Sequence, residues 1–493
     1  MCGIFGIVGS AGAAEQAFVA LQALQHRGQD ACGIATISGG RFPFVRHVGL
    51  VNQAFTAENL KLLPGRIAVG HVRYPTIGSG VPEDAQPLFF RQPGIHLAHN
   101  GNLTNYGELV RHLQDQSIHM LTHCDAEPLL CELALALQRK PRGHTLQDAY
   151  DALSETWSRA QGSYSVVASM ILDGKETLIV ARDYLGIRPA VWGTTGDGCY
   201  VAASESTALD AVGAQMLGDV AAGEVIFLRE RHEPVRRLLA RRDGTPAGRA
   251  PCIFEQIYFA RPDSRIEGRT VYSTRMELGR ALACEWRRRQ IPADVVIPIP
   301  DTARPAAMAV AEELGLPYRE GFIKNRYSGR TFIMPSQVKR EVELRLKLNP
   351  IRPEFQGRHV LLVDDSIVRG TTLAHTVDLV RRQGVASVHL TVYSPPVLFP
   401  CYYGIDMSTS KELLARRLAP NPSEGGLSAT ALETLQQSLA RQLGLDSLTY
   451  LSVDALNRCW DAPRCAACFD GRYPSPMSQE GQQEIEQDRQ LRS

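Results

Sequence analysis

Short hydrophobic runs separated by glycine turns dominate the first 230 residues of the chain. Apolar runs such as 66–70 and 164–170 have the length and the β-branched content of strands. The stretch 15–25 instead spaces its apolar residues as an amphipathic helix does. Strands with a covering helix predict a layered α+β fold for this half.

The pattern changes after about residue 290 to continuous apolar runs that alternate with helical segments. Strands are predicted at 294–299, 359–363 and 387–393, and helices at 304–314 and 372–383. Continuously apolar strands are typical of a parallel sheet that is covered on both faces. The second half is therefore predicted to be a doubly wound α/β domain.

Length and composition divide the chain into two domains and a tail. Its 493 residues exceed what a single core supports. The stretch 229–250 is rich in arginine, glycine and proline and is the predicted connection, so the domains are placed at 2–230 and 251–475. Residues 476–493 are polar and glutamine-rich and are expected to form a frayed tail.

Charge and cysteine content exclude several classes of protein. Lys plus Arg number 53 and Asp plus Glu 52, so no overall field favours nucleic acid or an anionic membrane as a partner. No apolar run reaches the roughly 18 residues of a membrane span, and the N-terminus lacks a signal peptide. Eleven scattered cysteines argue against a secreted disulfide framework. The expected location is the cytoplasm.

Cys2 directly follows Met1, which makes it a candidate nucleophile. Removal of Met1 would give Cys2 a free α-amino group with a pKa of about 7.7 to 8.0, so that thiol and base belong to one residue. From its position alone, Cys2 could equally be a small residue at the start of a buried strand.

The segment 360–372 carries the features of a phosphate site. An apolar strand ends at two carboxylates, and a hydroxyl-rich loop then enters a helix, whose N–H groups attract phosphate. The carboxylates suit ribose hydroxyls or Mg²⁺ instead. A helix cap is the alternative for an isolated Asp-Asp pair. The candidate residues of this segment are Asp364, Asp365, Ser366, Arg369, Gly370, Thr371 and Thr372.

Further pieces near the N-terminus suit hydrolysis of a carboxamide. The Asn100 side chain and the Gly101 N–H group can supply donors to a tetrahedral oxyanion. Arg73 can hold a carboxylate with two hydrogen bonds, and Asp125 can hold an α-ammonium group. Taken singly, these residues could be a surface ion pair, a type I′ turn and a helix cap. Together they predict a glutamine site.

These motifs in one chain resemble the family of glutamine phosphoribosylpyrophosphate amidotransferases. The resemblance also includes the segments 25–30, 252–264, 324–333 and 403–406. It implies an N-terminal nucleophile domain with an αββα sandwich, followed by a type I phosphoribosyltransferase domain with a parallel sheet. The implied enzyme is a glycosyltransferase that takes the first committed step of de novo purine synthesis.

The resemblance also implies site residues and partners. Phosphoribosyl pyrophosphate would contact Lys324 and Arg330 besides the segment after 363, and Mg²⁺ would be held through Thr302, Asp364 and Asp365. Its family members imply purine nucleotides as feedback inhibitors and a homotetramer. Ala303 departs from the family, since a hydroxyl residue is frequent at that position.

Cys465 and Cys468 form a CxxC pair, which needs two further soft ligands. The resemblance to the family branch with a 4Fe–4S cluster supplies Cys252 and Cys401, and Cys459 could replace one ligand. Structural Zn²⁺ on the same thiolates remains the physical alternative. Members of this branch often carry a propeptide, whereas only Met1 precedes Cys2, so Met1 removal alone is the expected maturation.

Two other functions stay open at this point. One is a paralogous glutamine amidotransferase with a different phosphoribosyl acceptor chemistry. The other is a non-catalytic redox or nucleotide sensor that keeps the fold and the cysteine site as a switch.

Overall fold

The computed structural model describes residues 1–74, 82–141, 143–239, 248–325, 348–407, 409–419, 422–475 and 477–492. The predicted phosphate-contacting residue Arg330 lies outside these ranges, as does most of the segment 325–349 around it.

The N-terminal domain is built on two stacked antiparallel sheets. Its strands are β1 (Gly3–Val8), β2 (Ala31–Ile37), β3 (Phe44–Val48), β4 (Ile67–Arg73), β5 (Leu88–Phe90), β6 (Ile95–Leu103), β7 (Gly162–Leu172), β8 (Lys175–Arg182), β9 (Val191–Thr194), β10 (Tyr200–Ala203), β11 (Gln215–Asp219), β12 (Glu224–Leu228) and β13 (Val235–Leu238). One sheet has the order β11-β9-β10-β1-β4-β2-β3 and the other β13-β12-β8-β7-β6-β5.

Helices cover the outer faces of both sheets. They are α1 (Ala13–Ala23), α2 (Val51–Ala54), α3 (Ala57–Leu60), α4 (Tyr106–Asp115), α5 (Ala126–Gln138), α6 (Leu146–Arg159) and α7 (Ser206–Ala211). An apolar core that includes Ile4, Val69 and Val167 fills the space between the sheets. The sheets approach so closely that a side chain at Gly6 in β1 would stand 2.5 Å from Val167. This is the predicted αββα sandwich.

The second domain contains the predicted parallel sheet. Its strands are β14 (Arg265–Ile266), β15 (Arg269–Thr270), β16 (Val295–Pro298), β17 (Phe322–Lys324), β18 (Leu348–Pro350), β19 (His359–Asp364), β20 (Ser387–Val392) and β21 (Ser447–Tyr450). Strands β16, β19, β20 and β21 pair in this order, all parallel. Apolar side chains of β19 face cores on both sides of the sheet, as expected for a doubly wound domain.

The described part of the second domain contains the following helices, several of which cover the two faces of this sheet. They are α8 (Val271–Arg287), α9 (Arg304–Leu314), α10 (Thr371–Arg381), α11 (Leu414–Leu418), α12 (Ala429–Leu443), α13 (Val453–Cys459), α14 (Ala467–Asp470) and α15 (Gln479–Arg492). Short helical turns lie at Gln25–Arg27, Pro82–Asp84, Glu255–Phe259 and Arg352–Glu354. Among the helices that the structure describes, none has both the length and the apolar composition of a membrane crossing.

Two predictions from the sequence are wrong: the end of the N-terminal domain at residue 230 and the frayed C-terminal tail. The N-terminal sheet continues past residue 230, because β13 pairs antiparallel with β12. The polar tail is not frayed, since most of it forms α15. This helix docks through buried Ile485 and through Arg489, whose Nη2 donates to the Cys401 carbonyl at 2.6 Å. Contacts with the rest of the protein therefore order a segment whose composition predicts no stable structure.

Candidate active site

Cys2 lies at the end of the first sheet, immediately before β1, and is buried. Its Sγ atom lies 3.5 Å from the Tyr74 carbonyl oxygen. Its backbone nitrogen donates to Asn100 Oδ1 at 3.3 Å, and this is the nitrogen that becomes the α-amino group once Met1 is removed. Thiol and prospective base therefore share one place beside Asn100.

Asn100 and Gly101 lie in the middle of β6, so they do not form a type I′ turn. A side chain at Gly101 would stand 1.9 Å from the Ser163 carbonyl, which leaves room only for glycine. Gly404 of the second domain packs against Gly101 from the other side, with φ at +91°. The two oxyanion donors are therefore fixed on a rigid strand that both domains hold.

The predicted glutamine anchors Arg73 and Asp125 are both buried. Asp125 accepts a hydrogen bond from the Leu103 N–H group at 3.0 Å, so its carboxylate lies at the end of β6. Arg73 ends β4 and pairs with Asp84, with 3.2 Å between Nη2 and Oδ2. Burial alone would lower the pKa of Arg73, but the charges of Cys124, Cys2 and Asp84 raise it. Asp84 is a site residue that the sequence analysis missed.

The phosphate segment has the predicted strand, loop and helix. Strand β19 ends at Asp364, and α10 begins at Thr371 behind Gly370, whose φ is +78°. A side chain at Gly370 would come within 2.3 Å of Leu414 Cδ2, which can rotate away, so the positive φ is what favours glycine at this turn. Thr371 and Thr372 are exposed at the start of α10, where they can meet a phosphate group.

The acidic pair carries less negative charge than two free carboxylates would. Burial raises the pKa of Asp364 well above its ordinary range, and the neighbouring charge of Asp365 adds to the shift. Burial also raises the pKa of Asp365, to about 6. The Ser366 hydroxyl donates to Asp365 Oδ1 at 2.6 Å, so it supports the pair rather than a phosphate group. A cation or ribose hydroxyls would favour the charged forms.

A pocket of about 720 Å³ joins the two domains at this loop. One wall is the segment 364–373, which includes all seven predicted residues of the phosphate site. The opposite wall includes His26, Gln29 and Tyr74 from the N-terminal domain. Because the Tyr74 carbonyl also accepts from the Cys2 thiol, one residue borders both the nucleophile and the phosphate pocket.

Two predicted residues, Lys324 and Thr302, are not part of the lining of this pocket. Lys324 pairs with Asp301 at 2.9 Å, and Arg369, although it lines the pocket, has Nη2 3.3 Å from Glu412. The Thr302 carbonyl accepts from the Tyr393 hydroxyl at 3.4 Å, which places Thr302 beside the end of β20, the strand next to β19 in the sheet. Their roles toward phosphoribosyl pyrophosphate and Mg²⁺ stay predictions.

The four cysteines Cys252, Cys401, Cys465 and Cys468, called the four-cysteine site below, are buried in one core. Cys252 pairs with Cys465 in a short parallel bridge. Burial raises the pKa of Cys468 well above its ordinary value, and the nearby charges of the other three thiols add to it. Cys459 instead has its Sγ atom 3.9 Å from the Glu277 carbonyl. Within the described residues, no three His, Cys, Asp or Glu side chains are gathered closely enough to hold a single ion.

A buried ion-pair network behind Cys2 also escaped the sequence analysis. Arg27 Nε donates to the Cys2 carbonyl at 3.0 Å, and the same guanidinium contacts Glu205 and Glu255. Burial would raise the pKa of Glu205, but His26 and Arg27 lower it far below its ordinary value. The only indication of this network in the sequence is a single charged residue such as Glu255 among apolar neighbours. Such a residue indicates a buried ion pair, but the sequence does not show which residue is its partner.

Two known domain families match the two halves of the chain. A glutamine amidotransferase domain matches residues 71–211, and a phosphoribosyl transferase domain matches residues 275–394. The match agrees with the two sites, since one contains a nucleophile with oxyanion donors and the other a phosphate loop. The protein is a glutamine amidotransferase joined to a phosphoribosyltransferase.

Relatives and solved structures match nearly the whole chain. The amidophosphoribosyltransferase of Methanothermobacter thermautotrophicus is 40% identical over 97% of this chain and 95% of its own length. That of Escherichia coli is 44% identical over 84% of this chain and 83% of its own length. The structure of the Bacillus subtilis glutamine phosphoribosylpyrophosphate amidotransferase, complexed with ADP and GMP, is 37% identical with a TM-score of 0.83, and the match covers 97% of this chain and 98% of that chain.

The chain belongs to the amidophosphoribosyltransferase family. It uses glutamine, phosphoribosyl pyrophosphate and water to make 5-phosphoribosylamine, glutamate and pyrophosphate, the first committed step of de novo purine synthesis. The predicted family, fold and reaction are confirmed.

Proposed function

We propose that Cys2, once Met1 is removed, hydrolyses glutamine and that the ammonia crosses the shared pocket to phosphoribosyl pyrophosphate. The observation that carries this proposal is Tyr74, which borders the nucleophile and lines the pocket of the phosphate loop. Ammonia is mostly protonated in water near pH 7, so a short path from one site to the other preserves its nucleophilicity.

In the glutaminase step the Cys2 α-amine takes the thiol proton, and the sulfur attacks the carboxamide carbon. Asn100 and the Gly101 N–H group hold the oxyanion. The proton then goes to the leaving ammonia, and water hydrolyses the thioester to glutamate. Arg73 and Asp125 bind the two charged groups at the α-carbon of glutamine.

In the transfer step ammonia attacks C1 of the ribose and pyrophosphate leaves with the bonding electrons. The backbone at 366–371 and the hydroxyls of Thr371 and Thr372 bind the 5′-phosphate. Asp364 and Asp365 accept from ribose hydroxyls or contact Mg²⁺, for which carboxylate oxygens are suitable ligands. Mg²⁺ supplies charge neutralisation on the pyrophosphate. Mg²⁺ bound with substrate phosphates needs only one or two protein carboxylates, which fits this pair.

The raised pKa of Asp365 predicts that binding of magnesium phosphoribosyl pyrophosphate weakens below about pH 6. Neutral carboxyls cannot hold a cation or accept from a hydroxyl as well as charged ones, so binding near pH 6 should release a proton that binding at pH 8 does not. Calorimetry in buffers of different ionisation enthalpy measures this release. The substrate phosphate also titrates, and the difference between wild type and Asp365→Asn isolates the share of Asp365. Equal proton release in both would contradict the prediction.

We further propose that the four-cysteine site holds a 4Fe–4S cluster with a structural role. Burial raises the pKa values of Cys252, Cys465 and Cys468, and the charges of the neighbouring thiols add to the shift; metal coordination is what keeps such thiols deprotonated. Backbone bonds connect the segments: Cys465 N–H donates to the Pro251 carbonyl at 3.0 Å, and Leu398 N–H to the Cys468 carbonyl at 2.9 Å. A bound cluster would join three distant parts of the chain.

Analysis of anaerobically purified protein tests this assignment. Iron and acid-labile sulfide in equal amounts, about four of each per chain, are expected for one cluster of this type. Exposure to air should remove both and lower the temperature of unfolding, because the ligands come from three separate segments. Zinc without sulfide would contradict the cluster and support the alternative on the same thiolates.

Purine nucleotides as feedback inhibitors, a homotetramer and a cytoplasmic location complete the proposal. The Bacillus subtilis relative is described as complexed with ADP and GMP, which supports nucleotide binding here. The near balance of charge is compatible with small anionic substrates bound at local sites rather than with a nucleic acid partner.

A further inference from the structure

Arg188 is a fully buried arginine whose hydrogen-bonding capacity is mostly unused. It lies in the loop between β8 and β9, and its guanidinium is inaccessible to solvent. Nη1 lies 3.4 Å from Glu255 Oε1, and before removal of Met1 it also contacts the Met1 sulfur. Nε and Nη2 have no hydrogen-bond partner among the described residues. Unsatisfied donors on a buried cation are costly, which indicates that an anionic partner belongs beside them.

The four-cysteine site is that neighbour. The Cys252 N–H group donates to the carbonyl of Ile187, the residue before Arg188, at 3.1 Å. Met1, Ile187 and all four cysteines share one core. Burial alone would lower the pKa of Arg188, but the charges that Cys252, Glu255 and Cys401 can carry raise it. The cation therefore lies within electrostatic reach of two candidate ligands.

The Arg188 guanidinium also begins a network of ion pairs and hydrogen bonds that ends at Cys2. Glu255, which Arg188 contacts, pairs with Arg27 at 2.8 Å, and Arg27 Nε donates to the Cys2 carbonyl at 3.0 Å. Glu255 is also tied to the cysteine segment, because its N–H group donates to the Cys252 carbonyl at 3.3 Å. Arg188, Glu255, Arg27 and Cys2 are all buried, so solvent screens the charges of this ion-pair network little.

We propose that Arg188 is a positioning residue that links the four-cysteine site to Cys2. Its Nε–H and Nη2–H groups compensate the negative charge of the bound cluster. Its Nη1 group holds the Glu255–Arg27 pair, which fixes the position of the nucleophile. The inference rests on the proposed iron–sulfur occupancy. It gives the cluster an electrostatic contact with the glutaminase site in addition to its role of joining chain segments.

The proposal predicts shifts of opposite sign in the cluster's reduction potential. Arg188→Gln removes a positive charge within electrostatic reach of Cys252 and Cys401, together with two donors, so reduction becomes harder and the potential becomes more negative. Glu255→Gln removes a negative charge from the same network, so the potential becomes more positive. Loss of packing alone would not reverse its sign between the two variants.

The experiment is an anaerobic redox titration of the purified full chain, followed by its visible absorbance, with bleaching in air as a second readout. Arg188→Gln should bleach several-fold faster than wild type, and Arg188→Lys, which keeps the charge, should lie between them. Arg229→Gln is the matched control: the Arg229 side chain is only 12% exposed, and its guanidinium is satisfied by Thr177, by the Leu172 carbonyl and by Asp173 at 2.8 Å, none of which contacts Arg188 in the hydrogen bonds described above. Its potential should equal that of wild type.

Glutaminase kinetics test the link between Arg188 and Cys2. Arg188→Gln should lower kcat for glutamine hydrolysis about tenfold with little change in KM, because the position of Cys2 changes while Arg73 and Asp125 do not. Synthesis from ammonia should be unaffected. If Arg188→Gln does not fold, Glu255→Gln should still raise the potential, and Arg188→Lys, which keeps the charge but loses donors, should still bleach faster than wild type; failure of both would contradict the proposal.

The outcomes separate the inference from the cofactor assignment. A wild-type protein without iron and sulfide would contradict the cluster itself, and with it the role of Arg188. A loaded wild type whose potential is matched by Arg188→Gln, or shifted in the same direction by Arg188→Gln and Glu255→Gln, would contradict the role of Arg188 alone.

Discussion

Cys2→Ala should abolish 5-phosphoribosylamine synthesis from glutamine while leaving synthesis from ammonia intact. The thiol is the only group of this residue that can form the thioester, so glutamine hydrolysis should fall by at least roughly 10³-fold. Ammonia bypasses that step and needs only the phosphate pocket. Glutamate release and pyrophosphate release, each measured with both nitrogen donors, separate the two activities.

Cys32→Ala is the control for Cys2→Ala. Cys32 is also buried in the first sheet, in β2, but makes no contact with Asn100 or Tyr74. It should retain both activities. Substantial glutamine-dependent synthesis by Cys2→Ala would remove Cys2 from the mechanism and point to another nucleophile.

Asp365→Asn should have the second largest effect, on the transfer step alone. The substitution keeps the size of the side chain and removes the charge that ribose hydroxyls or Mg²⁺ require. Loss of such an electrostatic contact lowers the rate on the order of 10²-fold. The ammonia-dependent assay measures the transfer step directly. Labelling of Cys2 by an electrophilic glutamine analogue should continue at the wild-type rate, since the nucleophile is unchanged.

Asp378→Asn provides the matched control on the same helix as the phosphate loop. Asp378 is exposed and pairs with Arg382 at 2.6 Å, away from the pocket. Its loss should leave the ammonia-dependent rate within about twofold of wild type, as expected for an exposed ion pair. Equal rates for Asp365→Asn and wild type would show that the acidic pair only caps the loop.

The sequence predicted the elements whose signals are local. The apolar run 359–363 followed by two carboxylates and a glycine can hardly form anything other than a buried strand and a turn, and both are present. The position of Cys2 before an apolar run likewise predicted a residue at a strand end, whereas its role as a nucleophile was inferred from the other motifs of the first 105 residues. Asp125 occupies the N-cap position of α5, but its carboxylate accepts from Leu103 rather than capping the helix.

Contacts between distant parts of the chain could not be predicted in this way. Arg27 is 178 residues from Glu205 and 228 from Glu255, and no local pattern encodes such a separation. The same holds for Asp84, which lies in a short turn that resembles many surface turns. Helix α15 was not predicted for the same reason, because its order comes from the contacts of Arg489 with the distant residues Cys401 and Ile405.

Ala303 illustrates what the structure adds to a departure from the family. Its side chain is fully buried in the core at the start of α9. A hydroxyl at this position would need a buried partner, so alanine suits the packing found here.

The most direct test of the whole account is the ratio of glutamate to pyrophosphate released by anaerobically purified protein supplied with glutamine, phosphoribosyl pyrophosphate and Mg²⁺. If Cys2 supplies ammonia across the shared pocket, the two products should rise together at a ratio near one, and omission of phosphoribosyl pyrophosphate should lower glutamate release. Glutamate released at the same rate with no pyrophosphate would contradict the coupling of the two sites.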